Sequence, residues 1–165
     1  MARVYVSIGS NIDRERHIEA ALRMLAERVG PLDRSTVYES AAVGFDSDPF
    51  YNLVVGFDTE LEPRAVQELL HEIEAGNGRV RGNGLAARTL DLDMLLYDDL
   101  VVDDPDLVLP RTDIGDYAFV LAPLAEIAGS RRHPVSGRSF AELWSGFPDR
   151  TQVLKPVGWP PAAGR

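Results

Sequence analysis

The stretch Arg88-Thr89-Leu90-Asp91-Leu92-Asp93-Met94-Leu95-Leu96 sets two carboxylates two residues apart in an aliphatic run. Period-two alternation puts Leu90, Leu92, Met94 and Leu96 on one face of a strand. Asp91 and Asp93 then share the other face, about 7 Å apart. Aspartate is depleted in strands, and two like charges side by side repel. Two divalent cations roughly 3.5–4 Å apart, bridged by both carboxylates, would offset that repulsion. The donors are hard oxygens and the chain has no cysteine, so magnesium is the expected ion. A solvated polar face on an edge strand gives the same pattern, and Asp-x-Asp alone does not separate the two readings.

The neighbouring residues favour the metal. Arg79, Arg81 and Arg88 cluster before the aspartates, and Lys155 is the only lysine in the chain. An anion site must therefore use guanidinium or backbone N–H groups, which suits bidentate contact with phosphate. No Gly-Lys-Ser/Thr loop is present, so a Walker A site is excluded. Arginines beside a metal-binding carboxylate pair fit a polyphosphate, whose charge metal and guanidinium share. Arg81 reads better as a surface ion-pair partner; Arg79 and Arg88 do so less.

A second group is Phe50-Tyr51-Asn52 with Phe119. An asparagine amide can read the edge of a heterocycle, and aromatic faces can sandwich a flat ring. Core packing alone would also account for these aromatics. His17, His71 and His133 show no ligand spacing. His71 lies one helical turn before Glu74 and can line the same cleft, although a surface position is the default for it.

These groups need a scaffold. Val4 to Ile8 reads as a buried strand, turned by Gly9-Ser10-Asn11, with Asn11 or Asp13 capping the next helix. Ile18, Ala21, Leu22, Leu25 and Val29 give that helix its buried stripe, and Gly30-Pro31 stops it. Leu32 to Glu39 and Tyr51 to Thr59 read as strands, with a loop from Ser40 to Pro49 between them. Pro63 opens a helix whose stripe is Val66, Leu69, Leu70 and Ile73. Gly76 to Gly84 holds four glycines and reads as a mobile loop. Thr89 to Tyr97 is the carboxylate strand. A short strand at Leu100 to Val102, a helix over Tyr117 to Ala128 restricted by Pro123, and a last helix at Phe140 to Trp144 complete the pattern.

Strand, helix, strand, strand, helix, strand is the order of an α+β, ferredoxin-like antiparallel sheet built from a split βαβ repeat. Helices pack on it, and extra C-terminal elements follow. The expectation is one domain over 1–155 and a disordered Pro/Gly/Ala-rich tail over 156–165.

Composition limits the partners. The 165 residues carry a formal net charge of −9, which gives no electrostatic reason to bind nucleic acid or an anionic membrane. No apolar run of about 20 residues and no long apolar stretch after Met1 are present, so neither a spanning helix nor a secretory signal is expected. A cytoplasmic monomer is the expectation, and the absence of cysteine is compatible with a reducing compartment.

The chain resembles the 6-hydroxymethyl-7,8-dihydropterin pyrophosphokinases of folate synthesis. The resemblance starts at Val6-Ser7-Ile8-Gly9-Ser10-Asn11 and runs through Val37-Tyr38-Glu39-Ser40, Pro49-Phe50-Tyr51-Asn52, Glu74 and Gly78-Arg79-Val80-Arg81. It peaks at Arg88-Thr89-Leu90-Asp91-Leu92-Asp93 and fades after Phe119 to Leu124 and Ile127. It implies transfer of the β,γ-pyrophosphate of ATP to the pterin hydroxymethyl oxygen, leaving AMP. By position it implies two Mg2+ ions on Asp91 and Asp93, and Arg79 and Arg88 as phosphate-binding, catalytic arginines. His71 and Glu74 would face the nucleotide, with Arg111 at the triphosphate. Asn52 would read the pterin edge, and Phe50 and Phe119 would flank the ring. Gly76 to Ala87 would be a loop closing over both substrates and excluding water.

The chain departs from the family pattern at several points. Leu85 stands where many members have tryptophan, Ala87 where proline is common, Arg111 where histidine is common, and Tyr117 where some have arginine. Ala41-Ala42 replaces a more usual proline-containing pair. Two rivals stay open at this point: a phosphotransferase for a related hydroxymethyl heterocycle, and a non-catalytic ferredoxin-like ligand-binding domain.

Overall fold

The computed structural model describes residues 1–41, 48–78, 90–149 and 151–159. In chain order its first half holds β1 (Ala2–Ser10), α1 (Arg14–Val29), β2 (Asp33–Arg34), β3 (Val37–Ser40), β4 (Phe50–Thr59), α2 (Pro63–Gly76) and β5 (Asp91–Tyr97). The second half adds β6 (Val102–Asp104), β7 (Leu107–Leu109), α3 (Asp113–Asp116), α4 (Ala118–Ala128), α5 (Phe140–Ser145) and β8 (Lys155–Val157). The main sheet runs β5-β1-β4-β3-β8, with β2 also on β4. Every neighbouring pair along it is antiparallel. Order and direction are those of the ferredoxin-like sheet expected above.

Both faces of this sheet are covered, which explains why β1 and β4 are apolar with little alternation. Val4, Val6, Ile8, Leu53, Val55, Phe57, Leu92 and Met94 pack with the stripes of α1 and α2. Tyr5, Val54, Leu95 and Leu96 pack with α4, Ile114 and Phe140. Each fully buried aliphatic or aromatic side chain here contributes about 1.5–3 kcal/mol of transfer free energy. Pro123 lies inside α4 rather than ending it. Burial of Val120, Leu121 and Leu124 beside it offsets the roughly 3 kcal/mol that an internal proline costs.

The sequence expectations differ from the structure in local detail. Gly9 and Ser10 belong to β1, so the turn starts at Asn11, two residues later than the glycine suggests. Asp13 occupies the N-cap position of α1 but makes no side-chain cap hydrogen bond. Asp13 instead pairs with Arg16, while Asn11 Nδ2 donates to the Asp48 carbonyl at 3.1 Å. The strand expected over Leu32 to Glu39 is broken into β2 and β3. Ser35 lies at the break, where its N–H donates to Val54 O and its hydroxyl accepts from Val54 N.

Strict alternation also fails in β5. Val6 pairs Met94 but Tyr5 pairs Leu96, so Leu95 is an extra residue in the ladder. The bulge turns Leu96 to the α4 side, away from Leu92 and Met94. The strand expected at Leu100 to Val102 is the hairpin of β6 and β7. Lys155–Val157, partly within the segment expected as a disordered tail, pairs with Val37–Glu39. A β-branched valine and an edge position suit this pairing, and Pro156 is tolerated on an edge strand. Trp159 then packs edge-on against Tyr51, with ring centroids 6.2 Å apart.

Candidate active site

Three adjacent strands set the site in register. Gly9 on β1 is opposite Asn52 on β4 and opposite Asp91 on β5. Directly paired residues share a face, so Asn52 and Asp91 project from the same side of the sheet. Strands are about 4.8 Å apart, which places these two backbones roughly 10 Å apart with Gly9 between them. Asp93, opposite Ser7, stands on that face one pair further along.

The carboxylate end gathers several charges. Asp93 Oδ1 lies 3.4 Å from Arg111 Nη2, and Arg111 Nε lies 3.3 Å from Asp113 Oδ2. Arg111 N donates to Leu95 O at 3.0 Å, which fixes the root of that arginine beside β5. Glu74, buried in α2, accepts from Leu92 N at 2.8 Å and so ties the helix to the strand between the two aspartates. Burial, and then the neighbouring Asp91 charge, push the Asp93 carboxyl up to about 7. Arg111 opposes that rise, while Glu74 and Asp113 add to it. Burial works against the charge on Arg111, but Asp93 and Asp113 outweigh it and hold its pKa above the ordinary arginine value. Among the described residues, carboxylates outnumber cationic groups at this end of β5.

A cavity of about 180 Å³ opens here between α2, β5 and the β6–β7 hairpin. Gln67, His71, Asp93, Leu107 and Arg111 are among its lining residues. His71, Asp93 and Arg111 thus line one cavity. Among the described residues no three or more His, Asp or Glu side chains form a cation cage. Asp91 and Asp93 offer hard oxygens, and two carboxylates suffice for Mg2+ when substrate phosphates supply further ligands. The donor set fits that ion in company with a triphosphate.

The Asn52 end of the row is aromatic. Asn52 is buried, and its Nδ2 donates to Ser40 Oγ at 2.9 Å. A Cβ on Gly9 would stand 2.7 Å from Asn52 Oδ1 and 3.7 Å from Phe50 Cδ1. Phe50 and Asn52 thus flank the same glycine. Phe119 stacks on Tyr117, with centroids 5.0 Å apart and planes 23° apart. Ser40, Tyr117 and Phe119 border a cavity of about 310 Å³. Asn52 therefore connects to Phe119's cavity through Ser40.

Arg79, Arg81 and Arg88, with most of the loop from Gly76 to Ala87, lie outside the described residues. Sequence reasoning missed the supporting parts: Ser40 as partner of Asn52, Tyr117 as brace of Phe119, and Asp113 as second partner of Arg111. A glycine inside a strand signals close approach of another group, and Gly9 carries that signal.

Fold and site together define a small ferredoxin-like domain with an acidic, arginine-bearing end and an aromatic, amide-bearing end. The model of the 7,8-dihydro-6-hydroxymethylpterin-pyrophosphokinase (HPPK) family matches residues 5–129, and the chain belongs to this family. A 2-amino-4-hydroxy-6-hydroxymethyldihydropteridine pyrophosphokinase of Methylorubrum extorquens is 42% identical over 132 residues, covering 78% of this chain and 84% of that one. The protein of the same name from Pseudomonas aeruginosa is 40% identical over 152 residues, covering 88% and 92%. Among solved structures, Plasmodium falciparum HPPK-DHPS with pterin and p-hydroxybenzoate superposes with a TM-score of 0.72 at 14% identity, over 87% of this chain and 42% of that one. At that identity the likeness speaks for the fold alone, and the chain spans less than half the length of that structure. No described helix is long and apolar enough to cross a membrane.

Proposed function

We propose that this chain transfers the pyrophosphoryl group of ATP to the hydroxymethyl oxygen of 6-hydroxymethyl-7,8-dihydropterin, in the cleft between Asp91–Asp93 and Phe119. Membership in the HPPK family and the names of its relatives support the reaction. The observation that carries the placement is the row Asn52–Gly9–Asp91, which joins an amide reader and a carboxylate across one glycine. The new bond joins the hydroxymethyl oxygen to the β-phosphorus, and the hydroxyl proton is released; the bond from that phosphorus to the oxygen bridging to the α-phosphate breaks, and AMP leaves.

Two Mg2+ ions, when bound, would neutralise charge on the triphosphate and align it for in-line displacement. Asp91 and Asp93 would hold them. Arg111 would reach toward the same charge from the cavity wall, and Arg79 and Arg88 would meet the phosphates, as the family resemblance implies. His71 lines the nucleotide cavity. Glu74 sets the position of β5 through Leu92 N. Asn52 would pair with the pterin edge while Phe50 and Phe119 cover its faces. A cytoplasmic monomer is the form proposed for this reaction.

The test is release of AMP from ATP with and without 6-hydroxymethyldihydropterin. Pterin-dependent AMP with equimolar pterin diphosphate supports the reading. AMP formed at the same rate without the pterin, or none with it, would overturn it.

A further inference from the structure

Arg111 is positioned to do more than meet a phosphate. Its guanidinium lies 3.4 Å from Asp93 and 3.3 Å from Asp113, and its backbone is pinned to Leu95 O. It therefore places a fixed positive charge beside a carboxylate that the proposed reaction assigns to metal. A dication approaching Asp93 alone meets that charge at close range and finds one carboxylate oxygen already facing a guanidinium. A triphosphate changes both terms. It offers Arg111 a bidentate partner richer in charge than a single carboxylate, and it offers the cation further oxygen ligands.

We propose that Arg111 is a built-in counter-ion of Asp93 that disfavours a divalent cation arriving alone and releases Asp93 when a triphosphate enters, so that metal and nucleotide load together. The inference rests on Asp91 and Asp93 being the metal carboxylates. It deepens that reading by giving Arg111 a role in the free protein. The Arg111 side chain is 38% exposed, so it can turn toward solvent and an incoming phosphate without unpacking the core. Asp113 holds the other side of the guanidinium, which keeps the charge beside the cleft when Asp93 is released. Coupling between two ligands is reciprocal: whatever factor the nucleotide adds to metal affinity, the metal adds to nucleotide affinity. Removing the counter-ion should shrink that factor from the metal side, by raising the affinity for metal alone.

The experiment titrates Mn2+ into the full chain and follows free Mn2+ by its paramagnetic resonance signal. It is run with and without an ATP analogue carrying a methylene between the α- and β-phosphates. Arg111→Gln should bind Mn2+ alone about tenfold more tightly than the wild type, the effect of one nearby charge at a half-exposed site. The tightening produced by the analogue should fall in the variant. Arg111→Lys restores a positive charge and should return Mn2+ affinity toward the wild-type value. Arg111→His at pH 8, where an ordinary imidazole is neutral, repeats the Gln test if the Gln protein does not fold. Unchanged or weaker Mn2+ binding in both Gln and His proteins overturns the inference, as does a Lys protein that matches Gln. Asp91→Asn separates this from failure of the site itself. Loss of Mn2+ binding with the analogue in Asp91→Asn, together with no effect of Arg111→Gln, removes the counter-ion alone. Full Mn2+ binding by Asp91→Asn removes the metal carboxylates and the counter-ion with them.

Discussion

Gly9 and Asn52 stand opposite each other so closely that a β-carbon on the glycine would lie 2.7 Å from the asparagine amide oxygen. No side chain fits there without moving Asn52. The amide is also held by Ser40, so displacing it breaks a buried hydrogen bond at 2.9 Å. Gly9→Ala is therefore expected to keep the fold but weaken the pterin about ten- to a hundredfold, the cost of roughly 1–3 kcal/mol for badly paired polar atoms. Binding of magnesium-ATP should change little. Calorimetry with each ligand checks this, and unchanged pterin affinity would show that Asn52 does not read the ring.

Removing either strand carboxylate should act on turnover rather than on folding. Asp91 and Asp93 share one face at the end of β5, where Glu74 and Arg111 already set their surroundings. Asp91→Ala and Asp93→Ala should each lower AMP production by several orders of magnitude, with cooperative unfolding retained. Near-normal turnover by either protein would sink the metal-pair assignment.

How much of this was legible in the sequence depends on the range of the interaction concerned. Asp91 and Asp93 sharing a face follows from period two alone, and so does the apolar set Leu90, Leu92 and Met94. Leu96 was misread because a bulge at Leu95 depends on pairing with Tyr5, ninety residues away. The partners of Asn52, Phe119 and Arg111 were illegible for the same reason, since Ser40, Tyr117 and Asp113 meet them through the fold. Asp13 shows the limit of local rules: a residue type suited to capping takes a left-handed backbone, φ 48°, and spends its carboxylate on Arg16. Lys155–Val157 looks like loop by composition, and only the free edge of β3 makes it a strand.

Asp93 also predicts a pH dependence of stability. Its carboxyl is pushed up to about 7 in the folded chain, chiefly by burial and then by Asp91, from an ordinary 3.8. The folded chain therefore keeps a proton that the unfolded chain releases. The resulting stabilisation is full below the ordinary value and is lost as pH rises through the folded one. At pH 8 the ionised carboxylate is a net cost to the metal-free protein. In EDTA, Asp93→Asn should melt at a higher temperature than the wild type at pH 8, and the gap should narrow at pH 5. Magnesium with an ATP analogue should stabilise the wild type and leave the variant nearly unmoved. A gap that widens toward pH 5 contradicts the stated origin of the shift.

The last prediction separates touching the pterin from bracing the group that touches it. Phe119 borders the cavity that Ser40 and Tyr117 also line, and it stacks on Tyr117 with centroids 5.0 Å apart. Phe119→Ala removes the stacking surface itself. An aromatic pair contributes about 0.5–1.5 kcal/mol beyond area burial, so with lost area the pterin should weaken about ten- to a hundredfold. Tyr117→Ala leaves Phe119 present but free to change its tilt. Its effect on affinity should be smaller, about threefold, and should show as a larger entropic cost of binding, because the ring must now be ordered by the ligand. Tyr117→Phe keeps the stack and should behave as the wild type. Calorimetry of the three proteins with the pterin and an ATP analogue resolves these cases. Loss of nucleotide binding with the pterin site intact would mean that the two ends of the cleft are reversed. A Tyr117→Ala protein as impaired as Phe119→Ala would mean that Tyr117 itself contacts the pterin.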